Sequence, residues 1–354
     1  MRINRFEMHL YAVPLRRPLR TARGYVARRE GLLLRLTDTD DVVGFGEAAP
    51  LPGWSPESLL MAQRGLAIAA ARIEGADAPE IPEHIAAFIA ALDLPPSAAH
   101  ALDQALLDLA ARRAGLTVAR LLNPAAREVV AVGRLVHDAR DAAEAARAGA
   151  GALKLKLGAE SLEADLRRIL TVRSLIDDGV SLRLDANGAW TEAEAGWMLE
   201  RLGALSIECV EDPVSDLDAM ARLRRFGVPL AADAPVRSPR DVADIIARGA
   251  ADVIVVKPTF VGGLSAALGL LRQADDAGLR GIVTTVLGAA VERYGALQVS
   301  AAAPAGLLPC GLDTGGLLAR DIAEGPEAAA GVMRADSPLT VTFGGSRLTA
   351  RAPA

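Results

Sequence analysis

Residues 152–158 read ALKLKLG and residues 182–188 read LRLDANG. Both are short apolar segments that carry polar residues. Similar segments recur along the chain in steps of 22 to 29 residues, with mid-points at Gly133, Leu155, Arg183, Glu208, Ala231, Ile254, Val283 and Leu308. Amphipathic stretches lie between them, and one strand, one helix and two loops need about this length. Eight such units predict a parallel (β/α)8 barrel. An open sheet with the same alternation is the alternative architecture.

Charged residues stand where these predicted strands end. They are Lys154 and Lys156, then Asp185, Glu211 and Asp233 on three successive strands, and Lys257 on the sixth. Strand alternation places both lysines on one face. A buried ammonium or carboxylate group is unfavourable when it stands alone. Lysines, carboxylates and a hard divalent cation stabilise one another when they are buried together. The pattern predicts a site for Mg2+, with Mn2+ as a substitute, at the C-terminal ends of the strands.

The first 125 residues follow a different pattern. Partly alternating apolar residues at 2–13 and 31–37 predict strands, Asp40-Asp41 a hairpin turn, and 42–47 the return strand. Helical periodicity then begins, with Ser55 as the first N-cap. The C-terminal PLTVTFGGSRLTA predicts a strand pair. We expect an α+β capping domain over residues 1–125, a barrel over residues 126–325, and a segment over residues 326–354 that returns to the capping domain.

Composition excludes several classes of protein. The chain is 51% apolar, which excludes disorder, and its 44 acidic against 39 basic residues argue against a nucleic-acid partner. Apolar runs are too short for a membrane span, and the first 20 residues lack the apolar core of a secretory signal, so a cytoplasmic location is expected. Cys209 and Cys310 predict no disulfide framework or thiolate metal site. A small-molecule partner is expected, and a homo-oligomer stays open.

Each charged residue has an ordinary explanation when it is taken alone. Lys-x-Lys is often a solvated strand face. A single acid after a strand is often a helix cap or a loop residue, and we expect Asp212 to be a loop or cap residue. Glu208 would support the site or pair with a neighbouring lysine. The recurrence of such residues at one end of consecutive strands favours an enzyme. A barrel used only for binding or assembly is the alternative from another class.

Together, Lys154-x-Lys156, Asp185, Glu211, Asp233 and Lys257 resemble the motifs of the enolase superfamily, in its muconate-lactonizing subgroup. The resemblance covers nearly the whole chain. It implies that Asp185, Glu211 and Asp233 bind the metal, that Lys156 is the general base and acid with Lys154 as its neighbour, and that Lys257 lies across the substrate. The shared chemistry is removal of a proton next to a carboxylate.

Longer stretches resemble the o-succinylbenzoate synthases of menaquinone biosynthesis, among them GFGEAAPLPGWSPESL at 44–59, VVKPTFVGG at 255–263 and GLDTGGLLARD at 311–321. This implies a carbon–oxygen lyase that dehydrates 2-succinyl-6-hydroxy-2,4-cyclohexadiene-1-carboxylate to 2-succinylbenzoate. The predicted substrate contacts are Arg183 and Asn187 on the third strand, Thr284 and Thr285 on the seventh, and Arg23 in a loop of the capping domain.

Two positions depart from the related patterns. Ala234-Pro235 follow the third carboxylate where Glu-Ser is usual, which removes an acid and a hydroxyl from the polar network. Gly311-Leu312-Asp313 lacks the first Asp of the Asp-x-Asp with which dipeptide epimerases hold the substrate ammonium. N-acylamino acid racemases and dipeptide epimerases share the scaffold and the lysines, so they are the alternative functions, together with a synthase that also racemises.

Overall fold

The computed structural model describes residues 1–21, 24–343 and 346–348. Within them the strands are β1 Ile3–Thr21, β2 Gly24–Asp38, β3 Val43–Ala48, β4 Val129–Ala131, β5 Arg134–Val136, β6 Ala152–Lys156, β7 Ser181–Asp185, β8 Ile207–Glu211, β9 Leu230–Ala232, β10 Val253–Val256, β11 Arg280–Val283, β12 Ala323–Glu324, β13 Val332–Arg334, β14 Thr340–Phe343 and β15 Ser346–Leu348. The α-helices are α1 Leu59–Ile73, α2 Pro82–Ala90, α3 Pro96–Arg113, α4 Val118–Leu122, α5 Ala139–Arg147, α6 Leu162–Leu175, α7 Glu192–Leu202, α8 Leu217–Leu223, α9 Pro239–Arg248, α10 Pro258–Val261, α11 Leu264–Asp276 and α12 Ala290–Ala302. None of the described helices has the length and apolar composition that crossing a membrane requires.

The first three strands form an antiparallel sheet in the order β1-β2-β3. The predicted hairpin turn is confirmed, because β2 and β3 flank it and Asp41 adopts the left-handed region with φ 58°. Strands β1 and β2 extend well beyond the predicted ranges. Leu19 pairs with Val26 in this extension. Most of the described side chains of the extension are exposed. An exposed ribbon has no apolar alternation, so the sequence pattern could not mark it.

Helix α1 begins later than the sequence indicates. Its N-cap is Ser58, whose hydroxyl accepts a hydrogen bond from the Met61 amide. The prediction of Ser55 was wrong, because the Ser55 hydroxyl accepts from the Leu51 amide and closes the preceding turn. Glu57, between the two serines, accepts from the Ser97 amide in α3. This contact with another helix holds residues 55–57 outside α1.

Seven parallel strands, β5 to β11, pair in sequence order and form a curled sheet. At least one helix lies between each strand and the next. Residues 307–311 occupy the eighth place, through the isolated parallel bridges Gly281–Leu307, Thr284–Gly311 and Val132–Cys310. The sheet therefore closes on itself, and the predicted barrel-type fold is confirmed over the open sheet. A short 3-10 helix, Gly315–Leu317, follows the eighth segment in place of an α-helix.

The interior of the barrel changes from apolar to polar along its axis. Inward-facing residues of the middle strands form a small apolar cluster: Cys209, Ala231, Val253, Val255 and Ile282. Two residues beyond three of these positions stand Glu211, Asp233 and Lys257. Because alternate residues of a strand share a face, the polar side chains continue the inner face and form the mouth at the C-terminal ends of the strands.

The chain that follows the eighth barrel segment contacts both parts of the molecule. Strands β14 and β15 pair antiparallel, as predicted, and β12 joins them. Strand β13 pairs with β4, so the predicted first barrel strand at 129–136 divides, and only β5 enters the barrel. The Ala319 amide donates to the Pro14 carbonyl of β1 at 2.9 Å. The domain boundaries at residues 125 and 325, and the return of residues 326–354 to the capping domain, stay predictions.

Asp103 of α3 caps a barrel helix from outside it. Its carboxylate accepts hydrogen bonds from the amides of Leu264 and Ser265, at 2.7 and 3.0 Å, and from the Ser265 hydroxyl at 2.8 Å. The N-cap of α11 is Gly263, which supplies no side-chain cap of its own. A Cβ on Gly263 would lie 2.6 Å from Asp103 Oδ2, so only glycine allows this approach. The capping unit is thereby fastened to α11.

Glu47 of β3 makes the corresponding contact with α12. Its carboxylate accepts from the amides of Ala289 and Glu292, at 2.7 and 2.9 Å, and from the Tyr11 hydroxyl. Burial raises the pKa of Glu47, and the hydrogen bonds that it accepts oppose this rise. His100 Nδ1 lies 2.9 Å from the Glu47 carbonyl and must donate, since a carbonyl only accepts. Two successive barrel helices are therefore capped by buried carboxylates of the first unit.

We expect Asp103→Ala to lower the free energy of unfolding by about 2–3 kcal/mol, because it removes a cap and leaves buried amides without an acceptor. Asp103→Asn keeps one acceptor oxygen and should lose less. Urea denaturation followed by circular dichroism measures both values. The control is Asp178→Ala, in the exposed turn before β7, which should stay within about 0.5 kcal/mol of the wild type. An equal, small loss in Asp103→Ala and the control would contradict the interdomain cap.

Candidate active site

The two lysines of β6 stand at the mouth of the barrel. Lys154 and Lys156 share the inner face, whereas Leu153 and Leu155 are fully buried on the outer face. The side chain of Lys156 is 57% exposed and that of Lys154 is 28% exposed. Strand alternation thus places both amines as predicted, with Lys156 one layer nearer to the open end.

The three predicted metal ligands lie on adjacent strands. Asp185 and Glu211 are direct partners in the register of β7 and β8, and Asp233 directly follows β9. Asp185 and Glu211 are 3% and 2% exposed. The sequence spacing could predict that these three carboxylates are neighbours, because the strands of a parallel barrel all end at the same face.

Each carboxylate is paired with a lysine. Lys154 Nζ lies 2.8 Å from Asp185 Oδ2 and 2.6 Å from Glu211 Oε1. Lys257, directly after β10, pairs with Asp233. Lys156 Nζ is 4.0 Å from Asp185 Oδ2. The structure therefore brings together all six predicted catalytic and metal-binding side chains: Lys154, Lys156, Asp185, Glu211, Asp233 and Lys257.

The charges at the mouth shift one another's pKa values. Burial favours the neutral amine, yet Glu211 and Asp185 hold the pKa of Lys154 above its usual range. Burial and the carboxylates Asp185 and Asp233 raise the pKa of Glu211 to about 8, against the attraction of Lys154. Burial would also raise the pKa of Asp233, but Lys257 and Lys154 lower it to about 2. Three buried carboxylates thus outnumber Lys154 and Lys257, and Glu211 is the one that retains its proton most tightly.

Two residues with left-handed backbone support the carboxylates. Asn187, with φ 49°, donates from Nδ2 to Asp185 Oδ1 at 2.8 Å. Asp212, with φ 40°, accepts from the amides of Asp233 and Ala234 at 3.0 and 2.8 Å. This confirms Asp212 as a loop cap. Non-glycine residues with a left-handed backbone often cluster at functional sites.

Arg183 differs from its predicted role as a substrate contact. It lies one layer below Asp185 and is only 4% exposed. Its Nε donates to Glu208, and its Nη1 donates to the Pro309 carbonyl at 2.6 Å. These contacts favour a role in joining β7, β8 and the eighth segment. Glu208 therefore pairs with an arginine rather than with the neighbouring lysine that its position suggested.

The remaining predicted substrate contacts are not all available. The Thr284 hydroxyl donates to the Gly311 carbonyl at 3.0 Å, and Thr285 and Thr314 share a hydrogen bond of 3.0 Å between their hydroxyls. Both threonines follow β11 at the mouth, but protein atoms engage their hydroxyls. Asn187 is exposed while it orients Asp185. Arg23 lies outside the described residues.

The donor chemistry fits a hard divalent cation. Among the described residues, no three His, Cys, Asp or Glu side chains already stand in an arrangement that could hold a metal ion. Lys154 and Lys257 pair with these carboxylates instead. Asp185, Glu211 and Asp233 nevertheless provide only oxygen donors, on three adjacent strands, which suits Mg2+.

Comparisons with known proteins agree with this geometry. The family model "Mandelate racemase / muconate lactonizing enzyme, N-terminal domain" matches residues 6–123, and "Enolase C-terminal domain-like" matches residues 137–337, more than half of the chain. This chain belongs to the enolase superfamily. Members of the enolase superfamily bind Mg2+.

Relatives within the superfamily differ in activity. Muconate cycloisomerase 1-1 of Acinetobacter lwoffii is 32% identical over 290 residues, 78% of this chain and 76% of that protein. L-Ala-D/L-Glu epimerase of Bacillus subtilis is 30% identical over 301 residues, 81% of each chain. Its solved substrate-liganded structure has a TM-score of 0.88 and 26% identity, covering 99% of this chain and all of that one. An o-succinylbenzoate synthase of Mycobacterium ulcerans is 35% identical over 180 residues, about half of each protein.

Sequence reasoning missed a second buried polar cluster, beside the mouth. Arg29, Glu47 and Glu292 are each at most 1% exposed. Burial and the nearby Glu47 raise the pKa of Glu292 to about 7. The only sequence signal was GFGEAAP at 44–50, which carries Glu47 in an otherwise apolar strand. Arg29 and Glu292 stand in stretches with other charges, so nothing distinguished them.

We expect Glu211→Gln to weaken Mg2+ binding by about tenfold or more, because a neutral amide replaces a charged ligand. Isothermal titration calorimetry with MgCl2 measures the affinity. The matched control is Glu208→Gln on the same strand, which removes the partner of Arg183 and should keep the Mg2+ affinity within about twofold of wild type. Unchanged affinity in Glu211→Gln would exclude it as a ligand, and equal losses in both variants would indicate a disturbed barrel.

Proposed function

We propose that this enzyme is an o-succinylbenzoate synthase, which dehydrates 2-succinyl-6-hydroxy-2,4-cyclohexadiene-1-carboxylate by a Mg2+-dependent syn elimination in menaquinone biosynthesis. The observation that carries the proton chemistry of this proposal is the placement of two amines on opposite sides of the mouth. Lys156 ends β6 and Lys257 follows β10, and the carboxylates Asp185, Glu211 and Asp233 lie on the strands between them.

Lys156 is the proposed base and acid. The C–H bond next to the substrate carboxylate breaks, and its proton passes to the neutral Nζ of Lys156. The electron pair of that bond forms the new ring double bond as the C–O bond breaks. The same lysine returns a proton to the departing hydroxyl on the same face, so water leaves and the ring becomes aromatic. The exposure of Lys156 supports this role, since the base must reach the substrate.

Lys257 contributes charge rather than proton transfer in this reaction. Its ammonium pairs with Asp233 and lies 5.7 Å from the centroid of the Phe260 ring. A positive charge held by these contacts stabilises negative charge that develops on the substrate. When bound, Mg2+ supplies Lewis-acid stabilisation of the substrate carboxylate, and Asp185, Glu211 and Asp233 would hold it.

Gly311 favours a synthase over a dipeptide epimerase. A Cβ at this position would lie 2.4 Å from Thr284 Oγ1, whose hydroxyl donates to the Gly311 carbonyl. The first Asp of the epimerases' Asp-x-Asp could be accommodated only if Thr284 moved. Leu312 is fully buried, and Asp313 alone is exposed. The site is therefore poorly equipped to hold a substrate ammonium, which the cyclohexadiene lacks.

Racemisation of an N-acylamino acid is the second candidate. Lysines on two sides of one mouth suit proton exchange on both faces of a substrate, and an N-acylated amino acid carries no free ammonium. The relatives that match about four fifths of the chain include an epimerase and a cycloisomerase, whereas the synthase matches half. The two reactions differ in what they require of Lys257.

We expect Lys156→Ala to lower the turnover of the cyclohexadiene at least about 10³-fold, because it removes the only proposed proton carrier. Lys257→Arg keeps the positive charge and should retain part of the dehydration, but it should abolish racemisation, since arginine cannot act as a base. Dehydration is measured by the loss of the substrate's ring absorbance. Racemisation is measured by the exchange of the α-proton of an N-succinyl amino acid in D2O, read by NMR.

Further outcomes separate the candidates. Wild-type activity should disappear with EDTA and return with Mg2+ or Mn2+. Rapid α-proton exchange from both enantiomers without dehydration of the cyclohexadiene would replace the synthase by a racemase. Turnover of cis,cis-muconate alone would assign a cycloisomerase. Absence of both turnover and Mg2+ binding would support the barrel that only binds or assembles.

A further inference from the structure

Arg29 is the largest of the completely buried side chains in the described structure, at 1% exposure. It lies on β2, five residues after Gly24, in the capping unit. Its neighbour Arg28 is exposed and pairs with Glu30 at the surface. A buried guanidinium is strongly unfavourable unless its donors are satisfied, so the partners of Arg29 indicate what its position achieves.

Those partners are backbone carbonyls of two different loops. Nη2 donates to Ala49 at 2.6 Å and Nη1 to Pro50 at 3.1 Å, at the start of the loop that follows β3. Nε donates to the Leu287 carbonyl at 3.0 Å, in the loop that follows β11. One planar group therefore joins a loop of the capping unit to a loop of the barrel mouth, 258 residues away in sequence.

The barrel loop adopts a strained conformation at the point of contact. Leu287 has φ 63°, in the left-handed region that bulky residues rarely adopt. Glu292 fixes the residues on both sides of Leu287. Its carboxylate accepts hydrogen bonds from the amides of Val286 and Gly288 at 2.9 and 3.0 Å. Such a conformation persists only where surrounding contacts enforce it. From the capping unit, Arg29 contacts Leu287 itself, and Glu47 contacts Ala289 at the end of the same loop.

We propose that Arg29 is a positioning residue that locks the capping loop 49–54 to the barrel loop 284–289. The barrel loop begins at Thr284 and Thr285, on the strand next to that of Lys257, so the lock fixes one wall of the mouth. That wall lies away from Lys156, and it shapes the space for the non-reacting end of the substrate. This consequence for the substrate rests on the proposed function, whereas the lock between the loops does not.

Hydrogen–deuterium exchange of the full chain tests the lock. In Arg29→Lys the charge remains, but a single ammonium cannot span three carbonyls. We expect amide exchange in peptides covering 49–55 and 284–292 to rise by about tenfold, with peptides of β6 to β8 unchanged. Arg29→Met, which also removes the charge, should show a larger local effect. The matched control Arg28→Lys should exchange like the wild type.

Steady-state kinetics on the cyclohexadiene then test the consequence. Arg29→Lys should raise KM by about tenfold and keep kcat within about threefold, because the loops position substrate without touching the reacting atoms. The Mg2+ affinity should equal that of the wild type.

Each contrary outcome has a distinct meaning. Unchanged exchange in both loops of Arg29→Lys overturns the lock, and so does a uniform rise that includes β6 to β8. A local rise in exchange with unchanged KM supports the lock and overturns its consequence for substrate. If Arg29→Met does not fold, Arg29→Lys decides. If the wild type does not dehydrate the cyclohexadiene, the proposed function fails, and the exchange measurement still decides the lock.

Discussion

The contact of Lys154 with Asp185 and Glu211 governs the organisation of the barrel mouth. A partly buried ammonium and two buried carboxylates on three adjacent strands are tolerable only together. Their pairing therefore constrains the register of β6, β7 and β8 and requires a polar layer above the apolar interior. Lys156 and Lys257 flank this layer at its two sides, and Asp233 continues it. The clustering of three carboxylate side chains in this layer is the physical reason to expect a divalent cation there.

The capping unit is attached by polar contacts as well as by apolar packing. Asp103 and Glu47 satisfy amides at the starts of α11 and α12, helices whose own N-cap residues supply no side-chain cap. Because these carboxylates are buried, their hydrogen bonds are poorly replaced by water. Arg29 adds a third contact at the side of the mouth. The loops of two units are thus held at defined positions relative to the lysines.

Prediction from the sequence was most successful for features that depend on a single periodicity of residues along one element. The strand repeat and the alternation around Lys154 and Lys156 are local properties, and parallel strands necessarily bring their C-terminal ends together. Prediction failed where side chains contact distant partners. The family resemblance implied that Arg183 contacts the substrate, but Glu208 and the Pro309 carbonyl engage its guanidinium. The sequence predicted Ser55 as the cap of α1, but Ser58 caps it, and Glu57 between them contacts α3.

The sequence by itself determined the number and order of the barrel strands, the face of each strand that carries charge, and hence the set of six ionic residues at the mouth. It did so because these features depend on residue spacing along single elements. Only the tertiary structure decided which carboxylate each lysine contacts, how residues 307–311 close the barrel, and that Arg29, Glu47 and Asp103 join the two units. Those contacts link residues up to 258 positions apart. Their energies depend on burial and on donor geometry, which exist only once the chain has folded.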